Sequence, residues 1–316
     1  MTEFYPFHLV DRLPNPYGFG GIDRQGFVRQ DDDWFKRLSS IPNIKILIHW
    51  RSKSMISEAV AGSPNATVID FNEAKLAIEA ANSKVFFGEK GGQNFVGIDL
   101  SNLNEKQAFS YLPRGAEFRD LREVGPILNR FDACILAYSR AVFYWHQRNK
   151  FCGVCGSETR INKAGHQIDC NNPKCGKPVF PRTDPAVIML VHDGNRALLG
   201  RQKTWKRGMY STLAGFLEPG ETLEEAVARE VYEDANIEVE SVRYHSSQPW
   251  PFPSSIMLGF FAKARSTFIR RNDEEVEDVQ WFTKDELNSF SSFEKSLPRT
   301  DSIARRLIED WLQGKE

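Results

Sequence analysis

Between Gly215 and Ile237 the chain reads GFLEPGETLEEAVAREVYEDANI, a run that constrains the surrounding fold more than any other segment. Pro219-Gly220 signals a turn. Thr222 followed by Glu225 is a capping-box pattern, in which side chains satisfy amides that a helix start leaves unpaired. Leu223, Val227 and Val231 recur every four residues and give that helix an apolar face to bury. Asn236 stands where a helix end takes a left-handed residue, a place glycine prefers and asparagine tolerates. Glu230, Glu233 and Asp234 fall at i, i+3 and i+4, so their carboxylates share one face and repel each other. A solvated acidic face is one reading of such a cluster. The glycine-rich loop just before it favours another, in which a divalent cation neutralises the charge; hard oxygen donors suit Mg²⁺ or Mn²⁺.

A second segment, Ser247 to Ser255, reads SQPWPFPSS. Its closely spaced prolines exclude helix and predict a rigid, extended loop. Such a loop can offer Trp250 and Phe252 as flat surfaces for a heterocyclic base, or can simply pack on the core.

The cysteines form a third constellation. Cys152-Gly-Val-Cys155 and Cys170-Asn-Asn-Pro-Lys-Cys175 give the spacing C-x2-C-x14-C-x4-C, in which four thiolates can close a tetrahedral structural Zn²⁺ site. The second knuckle is wider than usual. Two disulfides, or His166 in place of one cysteine, are the alternatives. The former is disfavoured because the start, MTEFYPFHLVDRLPN, carries no apolar leader core. Cys134 lies in a helix-like apolar stretch and reads as a buried thiol.

The charge is nearly balanced, 41 Lys plus Arg against 42 Asp plus Glu, which argues against a protein that grips bulk nucleic acid by its phosphates. No window reaches the length of a membrane span, and the end, Gln-Gly-Lys-Glu, is not a peroxisomal address. A cytoplasmic protein is expected. Three parts are expected: residues 1–148, residues 149–182 around the cysteines, and residues 183–316. The first contains strand-like runs at Ile44–Trp50 and Val85–Phe87, the latter joined through Gly91-Gly92 to Phe95–Leu100 as a hairpin, then a long helical pattern over Asp120–Gln147. The third reads as strands at Ala186–Val191, Arg196–Gly200, Ser211–Gly215, Glu238–His245, Ile256–Ala264 and Trp281-Phe282, with a last helix over Ser302–Leu312.

The run at Gly215 resembles the Nudix box, G-x5-E-x7-R-E-U-x-E-E-x-G-U with U apolar, at Gly215, Glu221, Arg229, Glu230, Val231, Glu233 and Ile237. Asp234 replaces the final Glu and Asn236 the final Gly. SQPWPFPSS nearly matches the tag that follows the box in NADH pyrophosphatases of the NudC type. DRQGFVRQDDDWF, GIDLS and YSRAVFYWHQRNKFCGVCG resemble the amino-terminal part of the same family. The resemblance implies an α/β fold, a Nudix α/β/α sandwich preceded by a zinc ribbon and a mixed α+β N-terminal domain. It implies Mg²⁺ or Mn²⁺ at Glu230, Glu233 and Asp234, with the Ala214 carbonyl and Glu275 as further ligands. These carboxylates would perform the catalysis, Asp234 as ligand or general base, while Arg229 would clamp Glu221. One structural Zn²⁺ would sit on Cys152, Cys155, Cys170 and Cys175. Substrate contacts are implied at Arg122, Phe180, Phe216, the block Gln248, Pro249, Trp250, Pro251, Phe252, Pro253, Ser254 and Ser255, and Ala304. The implied reaction is hydrolysis of NADH or NAD⁺ to the nicotinamide mononucleotide and AMP, together with removal of NAD caps from RNA, by a homodimer. Hydrolysis of another nucleoside diphosphate derivative, or a sensor that has lost turnover, are the competing expectations.

Overall fold

The computed structural model describes residues 14–40, 43–58, 63–272 and 274–316; the leader reading at residues 1–13 and Asp273 of the acidic run lie outside them. The chain divides into two compact units. One comprises Met1–Thr183 with Trp250–Ser254, the other Asp184–Pro249 with Ser255–Glu316.

The first unit is built on strands β1 (Ile44–Trp50), β2 (Lys53–Glu58), β3 (Pro64–Ala66), β4 (Ile69–Asp70), β5 (Ser83–Lys90), β6 (Gln93–Asp99) and β7 (Ala116–Asp120). They form one sheet in the order β3-β2-β1-β6-β5, with β4 against β1 and β7 against β2. The β5–β6 hairpin expected around Gly91-Gly92 is present, and β1 lies parallel to β6. Short helices α1 (Trp34–Ser39), α2 (Lys75–Ala80), α3 (Glu105–Phe109) and α4 (Leu121–Val124) precede the long α5 (Arg130–Arg148). Alternate strand residues bury opposite faces: Leu47, Val85 and Phe87 pack with Ile135, Leu136 and Phe143 of α5, while Ile46, Ile48 and Phe86 pack with Ala77 and Ile78 of α2.

The single helix expected over Asp120–Gln147 is corrected to two. Pro126 supplies no amide and falls in a 3₁₀ turn, Gly125–Ile127, after α4. Asn129 then restarts the helix by accepting from the Asp132 amide at 3.0 Å. Downstream, β8 (Thr159–Asn162), β9 (Gln167–Cys170) and β10 (Pro178–Val179) make a small antiparallel sheet carrying the cysteines.

The second unit has a six-stranded sheet of β11 (Asp184–His192), β12 (Arg196–Arg201), β13 (Leu213–Phe216), β14 (Val239–Trp250), β15 (Ser255–Ala264) and β16 (Asp278–Thr283). The order is β14-β15-β11-β12-β16, with β13 against β11; β11 and β15 run parallel. Helices α6 (Leu223–Ala235), α7 (Lys284–Asn288) and α8 (Ile303–Leu312) complete it. Val187, Met189 and Val191 of β11 pack with Val227, Val231 and Ala235 of α6, while Ile188 and Leu190 pack with Leu307, Ile308 and Trp311 of α8. One sheet between two helical layers is the expected α/β/α sandwich. The Ser211–Gly215 strand is displaced to Leu213–Phe216, and β14 extends well past His245.

The prolines after His245 behave differently from expectation. β14 continues through Pro249 to Trp250, and only residues 251–254 form a turn. β14 is an edge strand, the place in a sheet where proline is tolerated.

Candidate active site and zinc centre

The box loop and α6 place the carboxylates. Both capping-box bonds form: the Glu225 amide donates to Thr222 Oγ1 at 3.2 Å and the Thr222 amide to Glu225 Oε2 at 2.7 Å. At the other end Asn236 takes the left-handed conformation, φ 57° and ψ 32°, and its amide closes the helix on the Tyr232 carbonyl at 2.7 Å.

Arg229 organises the site. Its guanidinium donates to Glu221 from Nε at 3.1 Å and Nη2 at 2.7 Å, to Glu230 Oε1 at 2.9 Å, to Glu233 Oε2 at 3.0 Å and to the Phe216 carbonyl at 2.9 Å. Glu221 also accepts the Glu218 amide at 2.7 Å, and Arg229 with that amide holds it below the usual carboxylate range. The loop is therefore tied to the helix by one planar cation.

Beyond Arg229 the charge is unbalanced. Burial raises Glu230 despite its arginine, and Glu233 and Glu275 raise it further. Asp234, only 7% exposed, is pushed up to about 7 by burial, then by Glu230, Glu275 and Glu233. The structure thus gathers Glu275, far away in sequence, with the α6 carboxylates. Gly215 makes room for this cluster: a Cβ there would lie 1.8 Å from both Cδ and Oε1 of Glu230. The sequence pattern marked Gly215 but not this reason for it. Crowded carboxylates beside a backbone that admits no side chain are hard oxygen donors of the kind a divalent ion takes, while among the described residues only the cysteine quartet already stands as a metal-holding group.

The remaining sequence-derived positions separate into several environments. In the second unit, Ala214 is exposed on β13 and Phe216 is 62% exposed. In the first unit Phe180 is also 62% exposed, which excludes its core-packing alternative. Ala304 is buried in the first turn of α8. Ser255 is buried at the start of β15, and Pro249 is exposed.

Two of these environments are set by packing. The Gln248 side chain is fully buried, donating to the Asp301 carbonyl and accepting the Ile303 amide, both at 2.7 Å, so it builds the start of α8. Trp250 and Phe252 are not freely presented rings. They meet each other edge-on with centroids 5.0 Å apart, and Tyr17 packs edge-on against both at 6.1 and 6.0 Å. Arg122, expected to touch substrate, lies with its guanidinium 5.0 Å from the Phe252 centroid. Pro251 is buried, Ser254 half-buried and Pro253 exposed.

The four cysteine sulfurs lie within 4.8 Å of one another, with Cys152–Cys175 at 3.8 Å and Cys155–Cys170 at 3.4 Å. Four thiolates about 2.3 Å from a tetrahedral zinc would stand roughly 3.8 Å apart, whereas a disulfide needs about 2.05 Å. All five cysteines are free thiols, so the disulfide alternative is set aside. Ser157 draws the Cys155 thiol down to about 6, while burial pushes its neighbour Cys170 up to about 12, so it is the spacing of the four sulfurs that carries the metal reading. The quartet fits structural zinc. His166 is occupied elsewhere: its Nε2 lies 2.9 Å from the Phe86 carbonyl and 3.3 Å from the Tyr138 hydroxyl. Burial pushes the Cys134 thiol up to about 12, leaving it inert.

Comparison with known families agrees with these arrangements. Residues 182–308 match the model for the NUDIX domain, and residues 147–180 the NADH pyrophosphatase zinc ribbon domain. Residues 45–145 match the NADH pyrophosphatase-like rudimentary NUDIX domain. The chain belongs to the Nudix family. Its relatives include NAD-capped RNA hydrolase NUDT12 of Homo sapiens, 41% identical over 198 residues, 59% of this chain and 43% of that protein. Nudix hydrolase 19, chloroplastic, of Arabidopsis thaliana is 43% identical over 209 residues, 64% of this chain and 44% of that protein. NAD-capped RNA hydrolase NudC of Pseudomonas aeruginosa is 43% identical over 179 residues, 57% of this chain and 61% of that protein. This Nudix chain thus spans about half the length of the first two and under two thirds of the third. A crystal structure of a NUDIX hydrolase from Nitrosomonas europaea is 26% identical, covering 52% of this chain and 94% of that one at a TM-score of 0.44. Among the described residues no helix is long and apolar enough to cross a membrane.

Proposed function

We propose that this chain hydrolyses the pyrophosphate of NADH and NAD⁺ to the nicotinamide mononucleotide and AMP, and that it cuts the same bond to remove NAD caps from RNA. The observation that carries the reading is the carboxylate cluster of Glu230, Glu233, Asp234 and Glu275 behind Gly215, which Arg229 neutralises only in part. The zinc-ribbon and NADH pyrophosphatase-like matches, and relatives named NAD-capped RNA hydrolases, support this substrate class.

Glu230, Glu233, Asp234, Glu275 and the Ala214 carbonyl would hold Mg²⁺ or Mn²⁺. When bound, the ion would neutralise diphosphate oxygens and favour in-line attack by water. Arg229 keeps the box loop and the carboxylates in register. Asp234, with its acid range raised toward neutrality, can accept the proton that attacking water releases at its carboxylate oxygen. Water then adds to one phosphorus, the bridging P–O bond breaks, and the second phosphate leaves. Phe180, Phe216, Arg122, the segment 248–255 and the Ala304 backbone would contact the dinucleotide. Parts bounded at 1–148, 149–182 and 183–316, one structural Zn²⁺ per chain, a homodimer and a cytoplasmic location complete the proposal.

The test incubates the purified chain with NADH and Mg²⁺ or Mn²⁺ and separates the products by chromatography. Reduced nicotinamide mononucleotide plus AMP is expected. A faster rate on ADP-ribose or a dinucleoside polyphosphate would reassign the substrate, and no turnover on any of them would leave a nucleotide sensor. Glu233→Gln should abolish turnover with the fold intact.

A further inference from the structure

Trp250–Ser254 lies within the stretch that matches the NUDIX domain, yet it packs as part of the first unit. One side chain gathers the contacts that hold it there. Arg140, on α5, donates from Nε to the Pro251 carbonyl at 3.0 Å. Its Nη1 donates to the Ser52 carbonyl and lies 3.4 Å from Asp120 Oδ1. The guanidinium carbon stands 5.1 Å from the centroid of the Phe252 ring, which Arg122 also approaches.

Each partner has its own reason to be fixed. Ser52 sits with Arg51 in the tight turn joining β1 and β2, both at positive φ, so its carbonyl is held by the hairpin. Asp120 caps α4 through the Arg122 amide at 2.8 Å. Pro251 and Phe252 lie in the turn after β14, where the Phe252 amide donates to the Trp250 carbonyl at 2.8 Å. The Arg140 side chain is 12% exposed, and a guanidinium so enclosed is retained only where acceptors surround it. A hairpin, a helix cap and the Pro-aromatic turn therefore meet at one cation.

We propose that Arg140 is a positioning residue for the dinucleotide: it sets the Trp250–Ser254 turn, through the Pro251 carbonyl and the Phe252 ring, in the conformation that binds the substrate's nicotinamide half. This rests on the NADH reading above.

The test compares the full chain with Arg140→Met and Arg140→Lys. Loss of the fork should raise KM for NADH on the order of 10- to 100-fold, while kcat at saturating NADH changes by less than about 5-fold, as a misplaced binding element predicts. Lysine keeps the charge without the fork and should recover only part of the loss. In Arg140→Gly, millimolar guanidinium should lower KM again. Hydrogen exchange gives a readout independent of turnover: protection should fall at the Phe252 and Ser254 amides and stay unchanged in β5 and β6. An unchanged KM, unchanged exchange in the turn, or exchange lost throughout the β5–β6 hairpin would each overturn the assignment. If the wild-type chain does not hydrolyse NADH, the functional reading fails by itself, and the exchange experiment still decides whether Arg140 sets the turn.

Discussion

Replacing Gly215 by alanine separates the stability of this fold from its chemistry. The added Cβ would stand 1.8 Å from Glu230 Oε1, where ordinary contact begins at 3.4 Å, so the carboxylate must retreat by about 1.6 Å. The backbone itself accepts alanine. Gly215 lies in β13 opposite Val187 and is not among the glycines at positive φ. Gly→Ala at a permitted conformation stabilises by about 0.4–1 kcal/mol through the unfolded chain. The 2.9 Å bond from Arg229 to Glu230 would be weakened at a similar cost of about 1 kcal/mol, leaving net stability nearly unchanged. Catalysis is less forgiving, since a misplacement of about 1 Å at a reacting centre can cost about 100-fold in rate. Gly215→Ala should therefore lose at least about 100-fold in kcat on NADH with Mg²⁺ while its Tm moves by only a few degrees. Adding Gly215→Ala to Glu230→Ala should cost almost nothing further, because the clash has been removed. The argument is refuted by a variant within about threefold of wild-type rate, or by one that fails to fold.

Asp234 gives the metal-free protein a pH signature. Its folded acid range is raised from 3.8 to about 7, so the folded state holds a proton that the unfolded chain releases. The stability this proton contributes is complete below about pH 4 and lost as pH rises toward 7, at up to about 1.4 kcal/mol per pH unit. Urea unfolding in chelator should show that slope, and Asp234→Asn should flatten it; an identical slope in both proteins would contradict the assignment. Gln248→Ala should destabilise by about 2 kcal/mol, since it removes two buried hydrogen bonds, to the Asp301 carbonyl and from the Ile303 amide, as a shift in urea midpoint would show. Denaturing the purified chain with a chromogenic chelator should release one zinc per chain, and Cys170→Ser should abolish that release and lower the yield of folded protein.

Local signals carried much of the reading. Thr222, Glu225 and Asn236 act through bonds within a few residues, so the α6 boundaries were visible in spacing alone. The same holds for the carboxylates at i, i+3 and i+4 and for the paired cysteines, whose chemistry is written into residue type and interval. Boundaries suffered where neighbours decide: Pro126 split one apparent helix, and the edge position of β14 let a strand pass through Pro249. Glu275 sat in an acidic run that resembled a solvated surface until the fold brought it to Asp234.

By itself the sequence determined the family and the donor types, because a carboxylate helix with this spacing and a four-thiolate knuckle are local patterns that any compatible fold must accommodate. Tertiary structure alone decided how the side chains of one motif are packed. Gln248, Trp250 and Phe252 share one short tag, yet the first is fully buried against Asp301 and Ile303, and the other two are packed against Tyr17. Arg140 left no trace in spacing, since its partners Ser52, Asp120 and Pro251 are scattered along the chain and converge only once the sheet, the helix cap and the turn have formed. Burial and long-range pairing are properties of the assembled core, and no interval between residues encodes them.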